Sequence, residues 1–246
     1  MRQGRVVVIT GATGGMGSVL VDRFLDNGDT VVASDLDRGA LEALRARSDA
    51  GTRLVAAAAD VAQEADCGGL ADAARGAAGR VDVLVNCAGH FPIRPFAEMS
   101  AGEWRPVVDT NLTGAFLVTR AVLPLMTGRG WGRIVYIGSA SVFEGVPGQA
   151  HYVAAKAGII GLSRSLAREF GDLGITVNVV TPGLTLTPPV KERFPAEMLA
   201  QARATRALKR DEQAGDVVGA VSFLASPDAD FVTGQVINVD GGNHTH

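Results

Sequence analysis

Cysteine is scarce: Cys67 and Cys87 are the only two in 246 residues. That is too few for a disulfide framework or a thiolate metal site, and both are expected to be small buried or half-buried thiols. An excess of positive charge is also missing, with 23 Lys and Arg against 26 Asp and Glu and a net charge of −3, so no nucleic-acid partner is expected. No apolar run approaches the roughly 20 residues of a membrane span. The chain reaches Val6 to Ile9 and then Thr10-Gly11 too early to hold a signal peptide, and a cytoplasmic protein with no membrane partner is expected. The four histidines, His90, His151, His244 and His246, lack a ligand spacing with matching carboxylates, so no metal is expected. Aromatics are only 5% of the chain, yet 47% is hydrophobic, enough for a sizeable core in one domain.

Seven short, β-branched runs recur between helix-length segments: Arg5-Ile9, Thr30-Ser34, Thr52-Ala57, Val81-Asn86, Gly132-Gly138, Ile175-Thr181 and Gln235-Val239. Alternation of near-continuous apolar strands with helices predicts an α/β fold, a single doubly wound Rossmann-type domain whose seven-stranded parallel sheet carries helices on both faces. Composition does not shift along the chain and no longer repeat is present, so the domain spans 1–246. Pro and Gly gather at Thr181-Pro182-Gly183 and Thr187-Pro188-Pro189. There a strand ends and an irregular segment begins, making residues 184–210 the candidate lid over a site beyond the carboxyl ends of the strands.

After the first strand stands Thr10-Gly11-Ala12-Thr13-Gly14-Gly15-Met16-Gly17, at a strand-to-helix turn. Glycines let the backbone approach a pyrophosphate, and free N–H groups at the helix start favour its charge. With both Gly14 and Gly15 present, the turn fits T-G-x-x-x-G-x-G and T-G-x-x-G-x-x-G alike. The second strand ends at Ser34-Asp35, where an acidic side chain accepts hydrogen bonds from a ribose hydroxyl. Asp35 argues for NAD over NADP, since a 2′-phosphate would meet its charge and neither Thr13 nor Leu36 supplies a cation. Arg38 is close enough in sequence to neutralise Asp37 or a phosphate, and is read as an exposed helix-start residue. Asp60-Val61 closes the third strand, where the carboxylate either meets an adenine amino group or caps a helix.

Ser139 ends the fifth strand, and Tyr152-Val153-Ala154-Ala155-Lys156 begins an apolar helix. Tyr152 and Lys156 are i and i+4 neighbours on one helical face, so the ammonium is expected to favour the phenolate and lower a tyrosine pKa of about 10. Tyr152 then serves as acid or base near neutrality. Ser139 would hold the substrate oxygen, and Asn111 would support a proton-conducting water chain near Lys156. His151 is read as a helix-start residue with a possible substrate contact.

Together with Asn86-Cys87-Ala88-Gly89, Pro182-Gly183 and the closing Thr233-Gly234-Gln235 through Val239-Asp240-Gly241-Gly242, these motifs resemble the short-chain dehydrogenase/reductase superfamily along nearly the whole chain. Length and the closing segment are similar to its compact subtype of about 250 residues. The resemblance implies a catalytic tetrad of Asn111, Ser139, Tyr152 and Lys156, with Lys156 also holding the nicotinamide ribose. It also implies that Asn86, Ala88 and Gly89 line the adenosine side, that Pro182, Gly183 and Thr185 border the cofactor, and that Thr187 reaches the carboxamide. Cys87 stands where a second asparagine is usual, and Thr185 where a branched apolar residue is usual.

The implied reaction is reversible hydride transfer between NAD(H) and an alcohol or carbonyl carbon. Substrate contacts are expected from Phe91, Phe143, His151 and Leu184 besides Ser139 and Tyr152. The apolar segments that carry them favour a hydrophobic or aromatic secondary alcohol or ketone over a free sugar. Arg193, Arg203, Arg206, Lys209 and Arg210 on the lid are read as solvated basic residues of exposed helices, with binding of an acidic group as the alternative. The resemblance also implies a homotetramer built on helix pairs. Two rival readings stand beside this one: an NADPH-dependent 3-oxoacyl-carrier-protein reductase, disfavoured by Asp35, and a non-catalytic nucleotide sensor on the same fold, disfavoured by intact Ser139, Tyr152 and Lys156.

Overall fold

A computed structural model describes residues 4–245, so His246 lies outside the described residues. All seven expected strands form, each within about two residues of its expected ends: β1 Val6–Thr10, β2 Thr30–Asp35, β3 Leu54–Ala58, β4 Val83–Asn86, β5 Gly132–Ile137, β6 Ile175–Pro182 and β7 Val236–Val239. They make one all-parallel sheet in the order β3-β2-β1-β4-β5-β6-β7. Among the described residues ten α-helices accompany them: α1 Gly17–Asp26, α2 Arg38–Ala46, α3 Glu64–Ala78, α4 Ala101–Val108, α5 Gly114–Val122, α6 Ser141–Glu144, α7 Ala150–Glu169, α8 Pro188–Arg193, α9 Ala196–Thr205 and α10 Ala214–Leu224.

Burial of both sheet faces explains the near-continuous apolar strands. In β1, Val7 and Ile9 face a core shared with Leu20 and Phe24 of α1, Leu41 of α2 and Val217 of α10. Val6 and Val8 point the other way, into a core built with Leu70 of α3, Val118 of α5 and Ile159 of α7. Strand order reverses direction between β1 and β4, and that switch point opens a crevice at the carboxyl ends of the strands. No helix among the described residues is long and apolar enough to cross a membrane.

Two local features bear on the site. A π-helical turn, Asp109–Thr113, joins α4 to α5 and carries Asn111; such bulges recur at functional positions. The segment expected to be irregular after β6 instead folds as α8 and α9, anchored at its base by an isolated bridge between Thr185 and Glu212.

Candidate active site

The crevice is a cavity of about 860 Å³, within the range of small-molecule and cofactor sites. At one end it is floored by the glycine turn. Gly11 has φ +64°, and a Cβ there would lie 2.8 Å from the Ala88 backbone, while one at Gly17 would lie 2.0 Å from the Gly11 carbonyl oxygen. Only a backbone without side chains can fold this tightly. The Thr10 hydroxyl accepts from the amides of Cys87 (3.1 Å) and Ala88 (3.2 Å), tying the turn to the end of β4. Asp35 braces it from β2, where Oδ2 accepts from the Thr13 amide at 2.9 Å and the Thr13 hydroxyl at 2.6 Å. Leu36 contributes its amide to Asp35 Oδ1 at 2.8 Å.

Gly11, Thr13, Gly14, Gly15, Met16, Gly17, Asp35, Leu36, Asp60, Val61, Ala88, Gly89, Pro182, Gly183, Thr185 and Thr187 all line this cavity. Asn86 does not; its amide donates to the Thr119 hydroxyl at 3.4 Å and it borders a second, small cavity instead. Nor does Asp60 cap a helix. The N-cap of α3 is Gln63, and Asp60 Oδ1 accepts from the Ala62 amide at 2.9 Å, an Asx-type turn three residues earlier. Arg38 is exposed at the start of α2. A cradle that any Cβ would fill, with a carboxylate at the end of β2, fits a nicotinamide dinucleotide.

Deeper in the crevice, Ser139 and Tyr152 border the cavity with Lys156. Lys156 is 4% exposed, donates from Nζ to the Ile137 carbonyl at 2.7 Å, and lies 5.7 Å from the centre of the Tyr152 ring. The expected lowering of the Tyr152 pKa is not what the protein alone provides. Burial pushes the phenol up to about 12, against the hydrogen-bonding influence of Ser139. Burial likewise brings Lys156 down to about 8. The ammonium sits beside the ring, bonded to a carbonyl, so desolvation outweighs attraction. The Ser139 hydroxyl is itself held, 2.8 Å from the Ser141 hydroxyl and accepting from the Ser141 amide at 3.2 Å.

Lys156 also carries a stability cost that pH exposes. Between about 8 and the ordinary 10.5, the unfolded chain holds a proton that the folded chain does not. Stability contributed at this position therefore rises with pH across that window. Lys156→Met is expected to be more stable than the parent near pH 7, by on the order of 2 kcal/mol, and to lose that advantage near pH 10. Urea unfolding of both proteins without cofactor checks this; a pH-independent difference contradicts it.

Asn111 is buried in the π-turn. Its Nδ2 donates to the carbonyls of His90 (2.7 Å) and Val107 (2.8 Å), and its Oδ1 accepts from the His90 amide at 3.4 Å. It thus fixes the loop after β4. Asn111, Thr110, Asn86, Tyr136 and Lys156 surround the second cavity, of about 10 Å³, which is the volume of one water-sized probe.

Two expected substrate residues turn away. His151 is fully buried, its Nδ1 accepts from the Tyr152 amide at 2.9 Å, and it is not part of the cavity wall. Phe143 is 39% exposed and packs against His244, with ring centres 6.0 Å apart. Phe91 and Leu184 do line the cavity, and Phe91 meets Tyr152 edge-on with ring centres 6.2 Å apart.

Three residues matter that the sequence did not single out. Ser141 orients Ser139. Glu212 anchors the base of the segment that carries α8 and α9 by accepting from the Thr185 hydroxyl (2.7 Å) and the Gly183 amide (3.1 Å). His244, from the tail, joins the cavity wall and bridges Asp240 (2.8 Å) to Glu144 (3.3 Å). A serine two positions on was the one legible signal; the other two contacts join segments distant in sequence.

Sheet order, glycine cradle and the Ser-Tyr-Lys grouping define an α/β oxidoreductase of the dinucleotide-binding class. A family model described as enoyl-(acyl carrier protein) reductase matches residues 11–244. The chain is 40% identical over 246 residues to a 2,3-dihydroxy-2,3-dihydro-p-cumate dehydrogenase of Pseudomonas putida, covering 98% of this chain and 95% of that one. It is 36% identical over 241 residues to a 3-oxoacyl-acyl-carrier-protein reductase of Haemophilus influenzae, covering 98% of each. A crystal structure from Brucella melitensis titled as a short-chain dehydrogenase/reductase superposes with a TM-score of 0.94, at 32% identity over 99% of this chain and 98% of that one. The protein belongs to the short-chain dehydrogenase/reductase superfamily, whose members use a nicotinamide cofactor.

Proposed function

We propose that this protein is an NAD-dependent dehydrogenase that interconverts hydrophobic or aromatic secondary alcohols and ketones. The observation that carries the reading is Asp35. Its carboxylate closes the cradle against Thr13, with no cation paired to it among the described residues, so a 2′-phosphate there would meet uncompensated negative charge. The cofactor supplies hydride transfer at its nicotinamide ring. Gly11 to Gly17 would hold its pyrophosphate, Asp35 its adenosine ribose, and Lys156 the ribose on the nicotinamide side.

The remaining chemistry belongs to the chain. Ser139 donates to the substrate oxygen, kept in place by Ser141. Tyr152 gives its hydroxyl proton to the forming alkoxide in reduction and takes it back in oxidation. Lys156 supplies nearby positive charge that lowers the cost of the phenolate during turnover. Leu184, Val190, Phe194 and Met198 shape an apolar chamber above these groups and support an apolar ring over a free sugar. The name of the Pseudomonas putida relative, a dehydrogenase of a dihydroxy ring compound, supports the same class. We place the enzyme in the cytoplasm as a homotetramer, a state open to a mass measurement in solution.

The Haemophilus influenzae relative favours a second reading, an NADPH-dependent ketoreductase of acyl-carrier-protein substrates. Fluorescence titration separates the two. NADH is expected to bind at least tenfold more tightly than NADPH, a difference of about 1.4 kcal/mol, and tighter NADPH binding would establish the second reading instead.

A further inference from the structure

Six basic side chains, Lys191, Arg193, Arg203, Arg206, Lys209 and Arg210, ride on the lid or its base, and four of them are engaged by protein groups. Arg203 pairs with Asp211 at 2.9 Å, and Arg210 with Asp216 through two contacts of 2.6 and 2.7 Å. Lys209 donates to the Ala204 carbonyl at 2.7 Å. Arg206 is buried, donating to the Leu184 carbonyl at 2.8 Å with Glu212 3.6 Å away. Two remain on α8: Lys191 is exposed, and Arg193, the last residue of the helix, is set apart by its position. It has no carboxylate or carbonyl partner among the described residues, and its guanidinium stands 5.1 Å over the ring of Phe91.

That location connects it to the chemistry. Arg193 is exposed and is not itself part of the cavity wall, but Phe91 is, and it meets Tyr152 edge-on with ring centres 6.2 Å apart. The guanidinium is therefore no farther from the catalytic phenol ring than those two steps laid end to end. A guanidinium resting on an aromatic ring uses its π face and leaves its N–H edges unpaired. Those edges form the planar fork that matches a carboxylate. His90, the neighbouring side chain, feels Arg193 and His151 as like charges, which together with burial lower its pKa. The acids of the adjoining segment, Glu98 and Glu103, pair with Arg94 instead.

We propose that Arg193 is a carboxylate-binding subsite: the substrate carries an acid group on the far side of one ring from its reacting alcohol carbon, with that ring packed along Phe91. The inference rests on the oxidoreductase reading above and narrows its substrate class. The oxygen to be oxidised lies at Ser139 and Tyr152, the ring spans the apolar stretch beside Phe91, and the carboxylate reaches the lid. Engagement of α8 by the acid would also draw the lid across the bound ring.

The test compares oxidation of 4-(1-hydroxyethyl)benzoate with that of its methyl ester, two secondary alcohols that differ at the far position by one charge and one methyl group. The parent enzyme is expected to prefer the acid by at least about tenfold in kcat/KM, mainly through KM, as a charge-assisted bidentate pair allows. Arg193→Met should bring that ratio to within about twofold of unity, and Arg193→Lys should recover only part of it. Arg203→Met, which removes a lid cation already paired with Asp211, should keep the parent ratio and so excludes a general field effect. Equal handling of acid and ester by the parent enzyme, or a preference that survives in Arg193→Met, overturns the subsite. Turnover of the ester in either case leaves the oxidoreductase reading standing. Failure to oxidise either compound or 1-phenylethanol with NAD or NADP overturns that reading, and the subsite with it.

Discussion

Tyr152→Phe is expected to lower kcat by roughly a thousandfold, the scale of a lost general acid or base, while leaving NADH affinity within about threefold of the parent value. The ring would keep its edge-on contact with Phe91, so the change removes one hydroxyl and little packing. Three groups around it are already committed. Lys156 is bonded through Nζ to the Ile137 carbonyl, and Ser139 is engaged with Ser141. His151 faces away from the cavity. Steady-state rates with a secondary alcohol, paired with a cofactor titration, decide the matter. A variant that retains a tenth of parental turnover would mean that the proton travels by another route.

Gly17→Ala should be nearly as damaging, through geometry alone. The added methyl would sit 2.0 Å from the Gly11 carbonyl oxygen and 2.9 Å from the Ala12 Cα, both backbone atoms that cannot rotate aside. Relief requires the turn to open, and Gly11 is itself confined at φ +64° against the Ala88 backbone. The displacement would therefore pass to the junction of β1 and β4. Overpacking of this kind costs about 1–3 kcal/mol. Because the turn that moves is the proposed pyrophosphate cradle, NADH affinity is expected to fall at least about a hundredfold, or about 2.7 kcal/mol. Gly161→Ala gives the contrast: an added Cβ in the middle of α7 meets nothing within 4 Å, so thermal stability should hold or rise slightly. Unchanged NADH binding in Gly17→Ala would remove the cradle from the cofactor site.

Much of this architecture was legible in the one-dimensional pattern. Strands buried on both faces are apolar at most positions, and β1, β4, β5 and β6 are buried at every position and apolar at most of them, so the apolar runs located them closely. The i, i+4 relation of Tyr152 and Lys156 is a property of any helix. The glycine spacing likewise announced a turn that only bare backbone can make. Errors began where a side chain's direction depends on a short element's rotation. Phe143 lies on the four-residue α6 and turns toward His244 and solvent. His151 occupies the first turn of α7 and points inward. Of the two roles open to Asp60, the helix cap is not formed, because α3 is capped three residues later at Gln63.

Sequence by itself determined what is local: the seven strands, the parallel doubly wound sheet they imply, the bare-backbone turn after β1 and the pairing of Tyr152 with Lys156 on one helical face. Tertiary structure alone decided what depends on burial and on distant segments. It raised the Tyr152 pKa against the pull expected from Lys156, because desolvation is set by everything packed around a group. It joined Glu212 to Thr185 and His244 to Glu144 across long stretches of chain. By engaging four of the six cations between Lys191 and Arg210 with protein groups and laying Arg193 on Phe91, it also set which charges stay available, since charge follows from composition while the availability of a charge follows from its neighbours in space.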